Sequence, residues 1–464
     1  MCGIIGFAGN TEAVPILLDG LERLEYRGYD SAGVAVASPE GRPQVKKCKG
    51  RLGVLREALA AQKPLTGQVG IGHTRWATHG EPNDVNAHPH VSQSGKLAVV
   101  HNGIIENYLE IKQSLLHKGV VFASDTDTEV IVQLLEYYYK KSSNLMDAVY
   151  EVLNRIKGAY AMGILCSDFP EQLIAVRKDA PLLIGYGADG NYIASDVTAL
   201  LAHTRTVTYM EDDEVAVVTA DHVQILGRDG CFLEKEKHQI QWDVSAAEKG
   251  GYAHFMLKEI MEQPEAVRRT IQPRLADGEI VFEELEDERD LMKGISRIYL
   301  VACGSAYHVG MIGKYALERL LGIPVEACLA SEFRYSAPLL GESALVIVIS
   351  QSGETLDSMA ALREAKRRGS KVLSIVNVMG SSIARESDHV LYTWAGPEIA
   401  VATTKAYTTQ TVLLLMLGVY LARRLDRIGN GEYQEIVREL HGLHERIGMV
   451  LKNLELYQKT AARY

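Results

Sequence analysis

The sequence opens Met1-Cys2-Gly3-Ile4-Ile5-Gly6, so removal of the initiator methionine would leave a cysteine at the N-terminus. Such a residue carries a thiol nucleophile and a free α-amine together. The amine titrates near ~8, so around neutral pH it can accept the proton of its own thiol, directly or through one water. No histidine is then needed as base.

Three further segments hold what a thiol nucleophile needs. In Gly72-His73-Thr74-Arg75-Trp76-Ala77-Thr78-His79-Gly80 a guanidinium stands beside aromatic, hydroxyl and imidazole groups, and arginine can clamp a carboxylate bidentately. The run Leu97-Ala98-Val99-Val100 reads as a short buried strand that breaks at His101-Asn102-Gly103 and gives way to a helical pattern from Ile104 to His117. A carboxamide and a glycine N–H at such a turn are the donors an oxyanion hole requires. Ser124-Asp125-Thr126-Asp127-Thr128-Glu129 opens an apolar-periodic helix from Val130 to Tyr139. It is either an N-cap with a capping-box acid or, through Asp127, a partner for a substrate ammonium. Arg75 and Asp127 together would grip both charges of an α-amino acid.

The elements downstream are of another kind. After a charged, turn-rich stretch near Glu234 to Gly251, buried strands alternate with helices. Strands are expected at Arg297–Ala302, Ala344–Ile349 and Lys371–Val376, and helices at Tyr307–Leu321, stopped by Gly322, and Leu356–Arg368. This is βαβ logic, a doubly wound parallel sheet that binds ligands beyond the carboxyl ends of its strands. There, Ser350-Gln351-Ser352-Gly353-Glu354-Thr355 sets three hydroxyls and a glycine at a helix N-terminus, which suits an anion or simply caps the helix. The loop has no lysine and no Gly-Lys-Ser/Thr pattern, which argues against a nucleotide P-loop. A small sugar phosphate fits better.

Taken together, Met-Cys-Gly-Ile, Leu24-Glu25-Tyr26-Arg27-Gly28-Tyr29-Asp30-Ser31-Ala32-Gly33, the His73–Gly80 run, His101-Asn102-Gly103 and Asp125–Glu129 resemble the class II, N-terminal-nucleophile glutamine amidotransferases. The resemblance implies an α+β sandwich of layered antiparallel sheets between helices. It implies that Cys2 attacks the glutamine amide, with Asn102 and Gly103 holding the oxyanion and Arg27 and Gly28 positioning the cysteine. Arg75 would bind the glutamine carboxylate and Asp127 its amine, with Trp76, Thr78 and His79 lining the pocket. The second half resembles the sugar isomerase (SIS) domain, an α/β doubly wound parallel sheet. Cys303, Gly304, Ser305, Ser350, Gln351, Ser352 and Thr355 would then bind a sugar phosphate. The two domains in this order resemble the glutamine–fructose-6-phosphate aminotransferase (isomerising) family, whose stretch beside the sugar pocket is similar to Glu398–Ala406 and adds Val401 and Thr403. L-glutamine and fructose 6-phosphate are the substrates so implied, with no cofactor and a homodimeric enzyme.

Two departures stand out. The family's Cys-Gly-Thr-Ser loop is Cys303-Gly304-Ser305-Ala306 here, one hydroxyl short, and Thr403 replaces a serine. Family members also carry a second SIS domain, with the isomerase acid–base segment and a closing tail, whereas this sequence reaches Tyr464. The expected layout is an amidotransferase domain over 2–235, a linker over 236–251, a first SIS domain over 252–428 and a helical linker over 429–464. A chain with glutaminase activity and sugar-phosphate binding only is the alternative expectation. The last segment carries an apolar stripe of Ile436, Leu440, Leu443, Ile447, Leu451, Leu454 and Leu456 over one long helix, from Tyr433 to Tyr464.

Composition fits a soluble enzyme of two to four units: 464 residues, 47% of them hydrophobic. A net charge of −10 argues against nucleic-acid or bilayer binding. The opening is no signal peptide, and the apolar run Thr411–Ala422 is too short for a membrane span. Cys2, Cys48, Cys166, Cys231, Cys303 and Cys328 show no paired spacing and are read as reduced, as in the cytoplasm. Histidines 73, 79, 88, 90 and 101 raise the question of a metal, but His88-Pro89-His90 lacks matching carboxylate spacing, and none is assigned.

Overall fold

Along the strand Gly3–Gly9, Ile4 and Ala8 face one way, into a buried cluster, while Ile5 lies against Gly20 of the helix Ala13–Leu24. That period of two is the basis of the whole first unit. The computed structural model describes residues 2–38, 41–77, 79–240, 249–285, 291–336 and 338–463. They form two compact units, Met1–Val244 and Ser245–Tyr464.

In the first unit an eight-stranded sheet runs, edge to edge, His238–Gln239, Thr206–Tyr209, Leu183–Tyr186, Gly190–Ala194, Gly3–Gly9, Val69–Arg75, Ser31–Ser38 and Gly41–Lys49. A six-stranded sheet runs Val223–Leu226, Glu214–Val218, Leu173–Lys178, Gly158–Cys166, Leu97–Ile105 and His90–Val91. Every strand pair in both sheets is antiparallel. Ile4, Ala35 and Ile71 of one sheet and Ala98, Val100, Ala161, Leu165, Ala175 and Ala216 of the other share one core between them. On the outer faces, Ala13–Leu24 covers the first sheet, while Leu97, Val99, Met162 and Ile164 of the second pack under the helices Glu129–Ser142 and Leu145–Leu153. The architecture is the expected sandwich of sheets between helical layers. The strand His238–Gln239 belongs to the sheet although it lies beyond residue 235.

In the second unit a five-stranded, wholly parallel sheet has the order Val325–Leu329, Arg297–Ala302, Ala344–Ser350, Lys371–Val376 and His389–Tyr392. Both faces of the three central strands are covered, so these are largely apolar runs. Leu300, Ile347 and Leu373 pack under the helices Ser305–Leu321 and Lys405–Arg424, and Val301, Val346 and Val372 under Leu356–Arg367. Gly322 ends Ser305–Leu321 at φ +66°, the left-handed stop glycine makes at no steric cost. The single long C-terminal helix expected from the apolar stripe is instead three, Asn430–His441, Leu443–Leu451 and Leu454–Ala461. Breaks at Gly442 and Asn453 re-aim the stripe: Ile436, Leu440, Leu443 and Ile447 pack on the core, whereas Leu456 stays exposed. Among the described residues no helix is long and apolar enough to cross a membrane.

Candidate active sites

Alternation also assembles the first site. Ile71, His73 and Arg75 share the inner face of one strand, and Ala98, Val100 and Asn102 that of the facing sheet. Cys2 extends the inner row of Ile4 and Ala8, just before a strand whose Gly3 pairs with Thr74. At this end of the sandwich the apolar core gives way to polar side chains. Cys2, Arg75 and Asn102 therefore meet without any long loop.

The Trp76 N–H donates to Cys2 Sγ at 3.3 Å, and Asn102 Nδ2 donates to the Cys2 carbonyl oxygen at 3.0 Å. One Asn102 amide hydrogen is thus engaged and the second remains for an oxyanion. Burial pushes the Cys2 thiol above its ordinary range; the Trp76 N–H and the Arg75 guanidinium act the other way. Arg75 is buried, with Nη2 on the His79 and Gly80 carbonyls and Nη1 without a hydrogen-bond partner among the described residues. A buried guanidinium nitrogen left open in this way suits a substrate carboxylate.

Asp127 is buried and accepts the Ile105 N–H at 2.9 Å. The capping alternative therefore falls to its neighbour: the Glu129 carboxylate reaches back to the N–H groups of Ala123 and Ser124 at 2.8 and 2.6 Å. Arg27 pairs with Asp196. At Gly28 a Cβ would stand 2.6 Å from both Arg75 C and Trp76 N, so only glycine lets the chain lie flat against the peptide that holds the thiol. Trp76 is exposed and meets Tyr29 edge-on at 5.5 Å, and His79 meets Tyr108 at 5.6 Å. Thr78 lies outside the described residues.

The sequence pattern places a turn at His101-Asn102-Gly103, and the structure corrects this. The strand continues to Ile105, its pairing with Gly158–Cys166 unbroken. Ladder hydrogen bonds outweigh the local turn preference, and the irregularity is confined to Gly103 at φ +126°, where a Cβ would lie 2.0 Å from the Ala159 carbonyl oxygen.

In the second unit, Arg297–Ala302 and Ala344–Ser350 are neighbours, and the chain leaves them toward opposite edges of the sheet. Their carboxyl ends form the topological switch point, where open parallel sheets bind ligands. Cys303-Gly304-Ser305 and Ser350–Thr355 lie there side by side. Neither following helix has a side-chain cap, so first-turn N–H groups stay available to an anion. Ser350 Oγ accepts the Gly353 N–H at 3.1 Å and sits 3.2 Å from Thr355 Oγ1, Ser352 Oγ accepts the Glu354 N–H at 3.2 Å, and the Gln351 carbonyl accepts from Asn377.

Two buried carboxylates hold the segment that carries Val401 and Thr403. Glu398 accepts from Thr403 Oγ1, Thr404 N and Ala406 N at 3.2, 2.9 and 3.1 Å. Glu259, on the helix Phe255–Met261, accepts from the N–H groups of Ile399 and Ala400 at 2.6 and 3.0 Å. Burial pushes Glu259 up to about 7. Sequence patterns do not single out Glu259, which occupies an ordinary charged helix more than a hundred residues from the segment it anchors.

Residues 60–237 match a family model described as a glutamine amidotransferase domain, and residues 291–420 one described as an SIS domain. The chain is 52% identical to a glutamine–fructose-6-phosphate aminotransferase (isomerising) from Caldanaerobacter subterraneus subsp. tengcongensis, with all of this chain and 76% of the relative aligned. The same coverage holds for enzymes of that name from Clostridium acetobutylicum, at 51% identity, and Thermus thermophilus, at 44%. The chain belongs to the glutamine–fructose-6-phosphate aminotransferase (isomerising) family.

Proposed function

We propose that the protein hydrolyses glutamine at Cys2 and passes the ammonia to fructose 6-phosphate, giving glutamate and glucosamine 6-phosphate. The observation that carries the reading is the convergence of Cys2, Asn102, Arg75 and Asp127 at one end of the sandwich. Once Met1 is removed, the α-amine of Cys2 takes the thiol proton as Sγ attacks the amide carbon. The second Asn102 Nδ2 hydrogen and the Gly103 N–H stabilise the oxyanion, while Arg75 and Asp127 hold the substrate carboxylate and ammonium. Collapse of the tetrahedral intermediate breaks the C–N bond, and the amine returns its proton to the leaving ammonia. Water then hydrolyses the thioester, freeing glutamate and the thiol.

Ser305, Ser350, Ser352 and Thr355, with the backbone of Cys303, Gly304 and Gln351, hold the sugar phosphate. The doubly clamped segment bearing Val401 and Thr403 lies beside the sugar. The domain layout of the sequence reading is part of the proposal, as is a homodimer, which would cover apolar side chains left exposed on the second unit, Tyr315 and Tyr335 among them. All six cysteines are free, consistent with a cytoplasmic enzyme.

The test incubates the purified chain, checked by mass spectrometry for Met1 removal, with glutamine and fructose 6-phosphate, and follows glutamate and amino sugar. Cys2→Ala should abolish glutamate release with the fold intact. Full glutamine hydrolysis by protein that retains Met1 would sink the mechanism.

A further inference from the structure

His73 stands on the same inner row as Arg75, fully buried. Its Nε2 is 3.0 Å from Asn102 Oδ1 and 3.1 Å from the His101 carbonyl oxygen. Both are acceptors, so Nε2 carries the proton and the tautomer is set by its surroundings. On the other side of Asn102, the carboxamide meets a third oxygen, the Cys2 carbonyl. Only one orientation of the amide satisfies both sides, with Oδ1 toward His73 and Nδ2 toward Cys2. Rotated by half a turn, the amide would oppose N–H to N–H and oxygen to oxygen.

We propose that His73 is a positioning residue for glutamine hydrolysis, its Nε2–H fixing the Asn102 carboxamide so that Nδ2 points at the reacting centre. This rests on the oxyanion role given to Asn102 above and adds a residue that touches neither substrate nor thiol.

The surroundings of His73 keep it in that role. Burial pushes the imidazole down to about 3, so the ring is neutral at any working pH and makes no competing charge beside Arg75. Its face stacks on His88, centroids 4.1 Å apart, which stops the ring from turning. His88 Nδ1 in turn accepts the His101 N–H at 3.3 Å, and His101 Nδ1 lies 2.8 Å from Thr128 Oγ1, next in sequence to Asp127. The donor for the oxyanion and the segment for the ammonium are thereby tied to one connected group of buried histidines. An apolar residue would fill the same volume; it could not choose between the two faces of an amide.

A double-mutant cycle on steady-state glutamine hydrolysis tests the role. Loss of one oxyanion donor costs roughly 10²–10³ in kcat, so Asn102→Ala is expected in that range. His73→Leu, which keeps volume and removes the donor, should lower kcat by about ten- to a hundredfold with KM for glutamine changed less than about threefold. His73→Gln, whose amide N–H can reach Asn102 Oδ1, should restore most of the rate. In the Asn102→Ala background, His73→Leu should cost less than about threefold, because nothing is left to orient. Equal losses in both backgrounds would overturn the positioning role and make His73 a packing residue. If Asn102→Ala leaves kcat unchanged, the oxyanion assignment itself fails and takes this inference with it. Should His73→Leu not fold, His73→Asn, whose amide is too short to reach, takes its place under the same criteria.

Discussion

Gly28→Ala is the sharpest probe of how the thiol is held. The added Cβ would lie 2.6 Å from Arg75 C and from Trp76 N, both backbone atoms that cannot swing away as a side-chain tip can. Restoring ordinary contact at 3.4 Å moves the Arg75–Trp76 peptide by about 0.8 Å. That peptide carries the N–H on Cys2 Sγ and begins at the residue that would hold the substrate carboxylate. A misplacement of about 1 Å costs on the order of 10²-fold in rate, so kcat/KM for glutamine should fall roughly fiftyfold, about 2 kcal/mol in barrier. The assay is glutamate release, with circular dichroism and a thermal melt to confirm the fold. Gly53→Ala is the matched control, since a Cβ there meets nothing within 4 Å in the helix Leu52–Ala60, and it should leave activity unchanged. Wild-type kcat/KM in a folded Gly28→Ala protein would refute the claim that this glycine sets the nucleophile's position.

In the second unit, Ser352→Ala removes one hydrogen bond to a charged group, worth roughly 1.5–3 kcal/mol; fructose 6-phosphate affinity by calorimetry should fall by about one to two orders of magnitude, and an unchanged value would move the phosphate elsewhere. Gly353→Ala should disrupt the same loop, because its Cβ would lie 1.9 Å from Ser381 Oγ at a φ of +65°; wild-type sugar-phosphate binding would count against the loop geometry. Glu259 is raised from an ordinary carboxyl value to about 7, so its protonated form stabilises the fold. That contribution, about 3 kcal/mol at most, is fully present at acid pH below the unfolded value and is lost as pH rises through about 7. Melting temperature should fall more steeply between pH 5 and 8 in wild type than in Glu259→Gln, and parallel curves would show that Glu259 does not titrate there.

How much of this was legible beforehand varies by element. The strands Arg297–Ala302 and Lys371–Val376 were expected with those bounds, because a parallel strand buried on both faces writes an unbroken apolar run. The edge strands Val325–Leu329 and His389–Tyr392 were not: they are short and half-exposed, and they carry Glu326, Cys328 and His389. Asn102-Gly103 reads locally as a turn and becomes strand only through a partner more than fifty residues away. The chemistry proposed for Cys2, Arg75 and Asp127 follows from residue type. The roles of His73 and Glu259 do not, since each depends on which atom a distant backbone or amide presents to it.

The packing between the two sheets of the first unit has a consequence away from the reacting atoms. Arg75 hangs from one sheet and Asn102 from the other, so the gap between the sheets works as a calliper whose jaws are the two halves of the proposed site. Gly163 sits in that gap, and a Cβ there would press on Ile193 and Ile71 of the opposite sheet at 3.0 and 3.2 Å. Ala98, Ala161, Ala175 and Ala216 line the same gap. Enlarging any of them would spread the jaws without touching a reacting atom. A swap among these buried small residues that leaves stability intact would thus still throw the instrument out of adjustment.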